Sequence, residues 1–336
     1  MVEARPRKNR VTAVPIATIL IEWENVLSAD PTRAHRMLAQ LAADSHEVTD
    51  PLEILICHDP SRVAREAVES ALESHFHAYR PADRVAVVVV AAPGRTYFGL
   101  RNFGATVARG EWLLCLDSDV VPEPGWIKNL LGAARSAPHA NVVGGATHLD
   151  PEGLLGKAFA AGWFFPLRDD DDSVVSGVEG FFANNVAFRR SFFLAHPYPD
   201  DPDSGETRNA RRRLAAELRA SGVTIRRAGA ARAAHPAPHG GAGFFFRALA
   251  EGRDEAVGWQ KRGRSRFRRL LRAPAFALGR FTHAVRALVR DRRALSASFF
   301  QIPAAAAIMA AYSAFLCAGA AAQALLPRRA VPAWRI

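Results

Sequence analysis

Asp117 and Asp119 are the side chains whose types and spacing most clearly permit chemistry. They directly follow an apolar run at residues 112–116, which is typical of a strand buried on both faces, and a turn rich in proline follows at 122–125. Two carboxylates at the end of such a strand are costly to bury unless a positive charge lies beside them. A divalent cation that also binds a diphosphate would supply that charge, because hard cations prefer oxygen ligands. The alternative is a solvated turn that contains two aspartates.

Three further apolar runs precede this pair, within residues 11–21, 52–57 and 85–91, and residues with helical spacing lie between them. Strands that alternate with helices predict an α/β layered sheet. Ligands bind such sheets at the carboxyl ends of the strands, where the two aspartates are expected. No glycine-rich phosphate-binding fingerprint follows the first run. This argues against a dinucleotide-binding oxidoreductase and against a P-loop enzyme.

The whole chain of 336 residues carries a formal net charge of +11 and has a pI near 10.5. That excess indicates an anionic partner: a phosphate-bearing substrate, lipid headgroups or nucleic acid. The three cysteines, Cys57, Cys115 and Cys317, show neither a pairing pattern nor metal-ligand spacing. A reducing compartment is therefore expected.

Three motifs around the aspartates carry a family resemblance. An Arg-Asn-x-Gly helix start lies at 101–104, an Ala-x-Gly turn at 108–110 and the D-x-D motif at 117–119. In this order and at this close spacing they resemble the family 2 glycosyltransferases, here of a membrane-associated bacterial type. The resemblance covers about residues 14–240. It implies the GT-A fold, a Rossmann-related mixed sheet flanked by helices.

The resemblance also implies roles for the acids and for one arginine. Asp119 would bind Mn²⁺ or Mg²⁺, and Asp117 would lie near both the metal and the ribose. Asp59 matches the acid that accepts a hydrogen bond from the base, with a helix N-cap as the alternative. Arg101 matches a basic residue near the nucleotide, with an exposed helix-start arginine as the alternative. Residues 22–25 read Glu-Trp-Glu-Asn where the family has Pro-x-Tyr-Asn, so a UDP-, GDP- or dTDP-sugar all remain candidates.

Residues 177–190 resemble the family segment that lines the donor sugar and the acceptor pocket. Asn184 and Asn185 in it would hydrogen-bond sugar hydroxyls, and turn residues are the alternative. His235 matches a late histidine near the metal or the diphosphate, and is otherwise a surface loop histidine.

The catalytic base would take a proton from the acceptor hydroxyl as that oxygen attacks the sugar carbon. Inverting members usually supply it from a Glu-Asp pair, which the corresponding stretch of this chain lacks. Glu206 is the first choice and Asp203 the second. Either of them is otherwise an acid favoured at a helix start by the macrodipole.

The C-terminal part changes in composition. Arginines alternate with apolar residues over 260–295, which predicts a basic amphipathic helix broken at Pro274. Residues 299–326 carry no charge and would extend roughly 42 Å as a helix, more than a bilayer core of about 30 Å. The sequence therefore favours a lipid surface over nucleic acid as the partner. It predicts one transmembrane helix with the catalytic domain in the cytoplasm, and a buried helix is the alternative.

These inferences define the predicted organisation and activity. The predicted segments are a flexible tail at 1–13, a GT-A-like domain at 14–245, a basic juxtamembrane region at 246–295, a transmembrane helix at 296–327 and a tail at 328–336. The predicted activity is metal-dependent, inverting transfer of a hexosyl or N-acetylhexosaminyl group from a nucleotide sugar. The acceptor would be a hydroxyl of a lipid-linked or envelope polysaccharide at the inner membrane. A membrane-anchored protein that binds nucleotide sugars without catalysis is the alternative.

Overall fold

The computed structural model describes residues 14–27, 30–76, 84–137, 139–162, 165–200, 210–237 and 240–326. The chain divides into two compact units. The first unit comprises the described residues within 1–147, 169–202 and 209–234, and the second those within 148–168 and 235–336. The predicted tails at 1–13 and 328–336 lie outside the described residues.

The described strands form a mixed sheet in the order β3-β2-β1-β4-β8-β6-β9-β5, with β7 paired to β9. The strands are β1 (Ala17–Glu22), β2 (Leu52–His58), β3 (Val85–Ala91), β4 (Trp112–Asp117), β5 (Val121–Pro122), β6 (Val142–Leu149), β7 (Val174–Ser176), β8 (Asn185–Arg189) and β9 (Ile225–His235). β3, β2, β1 and β4 are parallel, whereas β8 is antiparallel to β4 and to β6. The predicted α/β class with a mixed sheet is confirmed.

Ten helices lie in the described residues, besides a short 3₁₀ turn at Asn25–Leu27. They are α1 (Pro31–Glu47), α2 (Arg65–Phe76), α3 (Tyr97–Val107), α4 (Trp126–Arg135), α5 (Gly153–Gly162), α6 (Arg190–Ala195), α7 (Ala210–Ala220), α8 (Gly240–Lys261), α9 (Arg266–Arg290) and α10 (Gln301–Leu325). Asp30 caps α1 by accepting the backbone N–H of Thr32 at 2.9 Å.

Two apolar cores cover the two faces of the central strands. Every residue of β1, β2 and β4 is buried, which explains their continuous apolar runs. Ile19 and Ile21 of β1 point into a core that α1, α2 and α4 complete, whereas Leu20 points into a core shared with α3, α6 and α7. The alternation of side chains along one strand thus fills both layers.

The second unit is largely helical and consists of α5, α8, α9 and α10 in the described residues. α9 runs without interruption from Arg266 to Arg290 with Pro274 inside it, so the predicted break is absent. A proline removes only one hydrogen bond, and the buried neighbours Ala273 and Ala277 hold this part of the helix against the layer. α10 has the length and the hydropathy of a helix that crosses a membrane, although a core helix would satisfy the same criteria.

Candidate metal centre and its surroundings

Strand pairing assembles the candidate metal ligands. Asp117 is the last residue of β4 and Asp119 follows in the turn that leads into β5. Val121 of β5 pairs with Ala234 of β9, whose next and last residue is His235. Asp117, Asp119 and His235 are all buried, and each offers a ligand atom within 4.8 Å of the other two. We call these three residues the acid–histidine cluster.

The tautomer of His235 suits a metal ligand. Its Nδ1 lies 2.7 Å from the carbonyl oxygen of Pro236, which can only accept a hydrogen bond. Nδ1 therefore carries a proton, and in the neutral imidazole the lone pair that can bind a metal is on Nε2. The ring also stacks on Phe165 with 4.5 Å between centroids, which fixes its plane.

Asn25, Tyr97 and Arg101 each donate a hydrogen bond to Asp117. Asn25 Nδ2 donates to its Oδ2 at 3.0 Å, Tyr97 Oη donates to its Oδ1 at 2.7 Å, and Arg101 donates to the same Oδ1. Such bonds stabilise the ionised carboxylate and fix its orientation. Asp117 therefore contributes to the cluster a carboxylate whose orientation is fixed by hydrogen bonds.

Arg101 is completely buried rather than exposed at a helix start. Its guanidinium lies over the ring of Tyr97, 4.6 Å from the centroid, and also donates to the carbonyl of Ala183. The structure thus places Arg101 against Asp117. Its predicted contact with a nucleotide stays a prediction.

Glu22 adds a third carboxyl group at this edge of the sheet. It is the register partner of Asp117 between β1 and β4, and its Oε2 accepts the backbone N–H of Glu24 at 2.9 Å. Burial, followed by the charge of Asp117, raises the pKa of the Glu22 carboxyl well above its ordinary value. The edge is crowded with acids, and a bound cation would relieve that crowding.

Asp59 connects two loops at the same edge. Its Oδ1 accepts the backbone N–H of Ser61 at 2.9 Å, and its Oδ2 accepts the N–H of Gly94 at 3.0 Å. Burial acts to raise the pKa of Asp59, but these hydrogen bonds outweigh it and the pKa is lowered. Because α2 begins only at Arg65, Asp59 is not its N-cap. Its predicted role, accepting from a nucleotide base, stays a prediction.

The two asparagines differ in their surroundings. Both ends of the Asn185 amide bind within the protein, since Oδ1 accepts from Trp126 Nε1 and Nδ2 donates to the carbonyl of Ala231, each at 2.9 Å. Asn184 is buried and its Oδ1 accepts the hydroxyl of Thr147 at 3.2 Å. Asn185 thus connects α4, β8 and β9, whereas Thr147 contacts only the oxygen end of the Asn184 amide.

Comparison with known proteins identifies a matching family. Residues 34–194 match the model of the family described as "Glycosyl transferase family 2". This chain carries a family 2 glycosyltransferase domain. No curated protein matches the chain in sequence.

Solved structures show the fold of this glycosyltransferase. A mannosyltransferase from Pyrobaculum calidifontis, solved in complex with GDP-Man and Mn²⁺, gives a TM-score of 0.53 at 15% identity. The match covers 98% of this chain and 91% of that one. GalNAc-T7, solved with UDP, GalNAc and Mn²⁺, gives 0.44 at 14% identity over 67% of this chain and 44% of that one. The first match supports a GT-A-like fold, whereas the second is too weak to carry an argument.

Sequence reasoning missed one arginine beside the acid–histidine cluster. Arg33 of α1 is buried, and its Nε donates to the backbone carbonyl of Asp119 at 2.9 Å. Its Nη2 donates to the carbonyl of Ala234 at 2.8 Å. A signal was present, because Arg33 precedes Met37 by four residues and so lies on the apolar face of the helix.

The two predicted catalytic bases are not placed by the structure. Glu206 and Asp203 lie outside the described residues. Of the predicted metal ligands, Asp117, Asp119 and His235, the structure brings all three together.

Proposed function

We propose that this glycosyltransferase domain transfers a sugar from a nucleotide sugar to a hydroxyl group and depends on Mn²⁺ or Mg²⁺. The observation that supports this most is the acid–histidine cluster at the carboxyl edge of a GT-A-like sheet. Carboxylate oxygens suit both metals, and one imidazole nitrogen is compatible with Mn²⁺. The bound metal would stabilise the charge that develops on the departing nucleoside diphosphate.

The protein's own groups would prepare the metal centre. Arg101, Tyr97 and Asn25 orient Asp117, and the hydrogen bond from Nδ1 of His235 leaves Nε2 as the nitrogen that can bind the metal. Fixed ligands reduce the reorganisation that metal binding would otherwise require. Asp59 and the loop at 22–25 would contact the nucleotide base, and Asn184 the donor sugar.

The donor would be a UDP-, GDP- or dTDP-sugar, transferred with inversion as a hexosyl or N-acetylhexosaminyl group. Glu206 or Asp203 would remove the proton from the acceptor hydroxyl while that oxygen attacks the sugar carbon. The Pyrobaculum mannosyltransferase, solved with GDP-Man and Mn²⁺, supports a nucleotide-sugar donor for this fold.

We further propose that the enzyme works at the cytoplasmic face of the inner membrane on a lipid-linked or envelope polysaccharide acceptor. α10 supports a membrane location by its length and mean hydropathy of 1.7, and the basic α9 precedes it. Two modes of attachment fit such a helix. It crosses the bilayer once, as the sequence predicts, or it belongs to a helical layer that lies on one leaflet.

The test of the activity is titration of the purified chain with UDP and GDP, with and without Mn²⁺, followed by assays of nucleotide-sugar hydrolysis and transfer. We expect binding that requires the metal and turnover that Asp119→Ala abolishes, while Glu66→Gln on the exposed face of α2 leaves both unchanged. Wild-type turnover in Asp119→Ala would refute the metal assignment. Metal-dependent binding without turnover on any acceptor would instead favour the non-catalytic alternative.

A further inference from the structure

α10 occupies a central position in the helical unit. It packs against α5, α8 and α9. Its backbone touches that of α8, since a Cβ added to Gly252 would lie 1.9 Å from the carbonyl oxygen of Leu316. It also runs alongside α9 in the opposite direction, because Arg266 at the start of α9 donates to the carbonyl of Leu325 at the end of α10. The buried residues of α10, among them Ala305, Tyr312 and Ala320, lie on one side of the helix, and residues such as Ala307 and Ala314 on the other side are exposed.

The middle of α10 lies beside a charged pair. Tyr312, near the midpoint of this 25-residue helix, donates from Oη to Glu251 Oε2 at 2.7 Å. Arg280 of α9 donates to the other oxygen of Glu251 at 3.1 Å. If α10 crossed a bilayer together with these neighbours, the pair would lie near the hydrocarbon centre, where charged side chains are expensive. The packing therefore disfavours a transmembrane path for α10.

The outer side of α9 carries an exposed apolar stripe. Phe267, Leu271, Leu278 and Val289 are 69%, 62%, 62% and 60% exposed. At the spacing of an α-helix these four residues lie within about 40° of one another. Their neighbours in sequence, such as Leu270 and Leu288, turn toward the layer instead. The stripe is therefore a surface feature of a folded helix and not part of the core.

Arginines flank this stripe on the adjacent side of the helix. Arg268, Arg272, Arg286 and Arg290 are all exposed. An apolar stripe next to a row of arginines is the pattern of a helix that lies in the plane of an anionic membrane, with its apolar side in the acyl boundary. Nucleic acid would use the arginines but leave the four apolar side chains in water.

We propose that α9 is an in-plane membrane-binding helix and that α10 packs beside it in the same helical layer without crossing the bilayer, so that the protein attaches to a single leaflet of anionic lipid. This rests on the proposed membrane location and not on glycosyl transfer. The stripe inserts at the headgroup boundary, and the flanking arginines bind the anionic headgroups. The buried side of α10 packs against α5, α8 and α9.

The first experiment measures binding of the full-length protein to vesicles. We expect cosedimentation with vesicles of phosphatidylcholine and phosphatidylglycerol, and little with phosphatidylcholine alone. The double variant Leu271→Asp/Leu278→Asp should bind about tenfold more weakly or worse, because it replaces apolar contact with charge. Leu194→Asp, an exposed leucine on α6, is the matched control and should bind like the wild type. Equal binding by the double variant would overturn the proposal.

The second experiment distinguishes one leaflet from a crossing. Single cysteines are placed at Ser298 and at Leu326, the exposed residues that flank α10, in a Cys317→Ser background. In sealed membrane vesicles bearing the protein, a membrane-impermeant maleimide should label both positions from the same side. Labelling from opposite sides would show that α10 crosses the membrane and refute the proposal. A third outcome is that the protein forms a dimer in solution and that Leu271→Asp/Leu278→Asp dissociates it. The stripe would then bind a second copy of the chain, which would also refute the proposal.

Discussion

Arg33 donates a hydrogen bond from Nε to the backbone carbonyl of Asp119 at 2.9 Å. The same guanidinium donates through Nη2 to Ala234, the residue before His235, at 2.8 Å. One buried side chain thus connects the turn that carries one candidate ligand to the strand that carries another. The planar guanidinium suits this because it presents several donors in a rigid arrangement.

Arg33→Lys should weaken Mn²⁺ binding by about tenfold or more, as is usual when a group that orients metal ligands is changed. A lysine cannot reach both carbonyls with one ammonium group in the same geometry. The affinity is measured from the electron paramagnetic resonance signal of unbound Mn²⁺ during titration. Arg36→Lys, exposed one turn further along α1, should leave the affinity unchanged. Equal affinities for the two variants would show that Arg33 supports the fold alone.

A second prediction concerns the buried pair of Arg101 and Asp117. Arg101→Met should lower the free energy of unfolding by about 3–5 kcal/mol, because it removes one partner of a buried charge pair. Adding Asp117→Asn to this variant should lower the free energy of unfolding much less than the same change does in the wild-type protein. The reason is that the effects of mutating two residues in contact are not additive. Urea unfolding of the four proteins in EDTA measures this coupling. Additive losses would mean that the two side chains act independently.

The sequence predicts the parts of this site that depend on local pattern. A buried apolar run that ends in acids predicted the position of Asp117 and Asp119 at the strand edge. His235 joins them through the pairing of β5 with β9, more than a hundred residues apart in the chain. No local pattern specifies that pairing, and only the family resemblance suggested the histidine.

The sequence does not reveal contacts between residues that are far apart in the chain. Arg101 was open to interpretation as an exposed residue, because a helix-start motif does not show that Asp117 and Ala183 lie around it. The apolar residues of α9 likewise give no indication of which ones face α10. That division depends on how the helices pack, and it separates Phe267 and Leu278 from Leu288.

The buried thiols lead to a prediction about pH. Burial raises the pKa of Cys57 to about 12 and that of Cys115 to about 11. At pH 8 neither should react with a disulfide reagent until the protein unfolds, because the thiolate is the reactive form. A time course with and without urea measures this, and Cys317→Ser supplies a protein in which these two are the only thiols. Rapid reaction of that variant without urea would contradict the burial.

The same raised pKa values set the sign of a stability change. An unfolded thiol loses its proton near pH 8.5, well below the folded values of about 12 and about 11. The contribution to stability is therefore complete below about pH 8.5 and is lost as the pH rises toward the folded pKa values. Cys57→Ala/Cys115→Ala should lose less stability between pH 8 and pH 10 than the wild type. Identical slopes in that range would count against the thiols as its source.

Gly110, in the turn between α3 and β4, permits a close backbone approach to β1 at the end of β4 opposite Asp117. A Cβ added there would lie 2.3 Å from the backbone nitrogen of Thr18 and 2.5 Å from the carbonyl carbon of Ala17. Gly110→Ala should therefore push β4 away from β1 and lower the free energy of unfolding by about 2–4 kcal/mol. Gly132→Ala in α4 is the matched control, because no atom lies within 4 Å of the added Cβ, and it should stabilise by about 0.5–1 kcal/mol. Chemical unfolding of both variants measures the contrast.

Because β1 and β4 carry Glu22 and Asp117 in register, Gly110→Ala should also weaken Mn²⁺ binding, while Gly132→Ala should not. A stable Gly110→Ala protein with unchanged Mn²⁺ affinity would show that this contact does not position the acids.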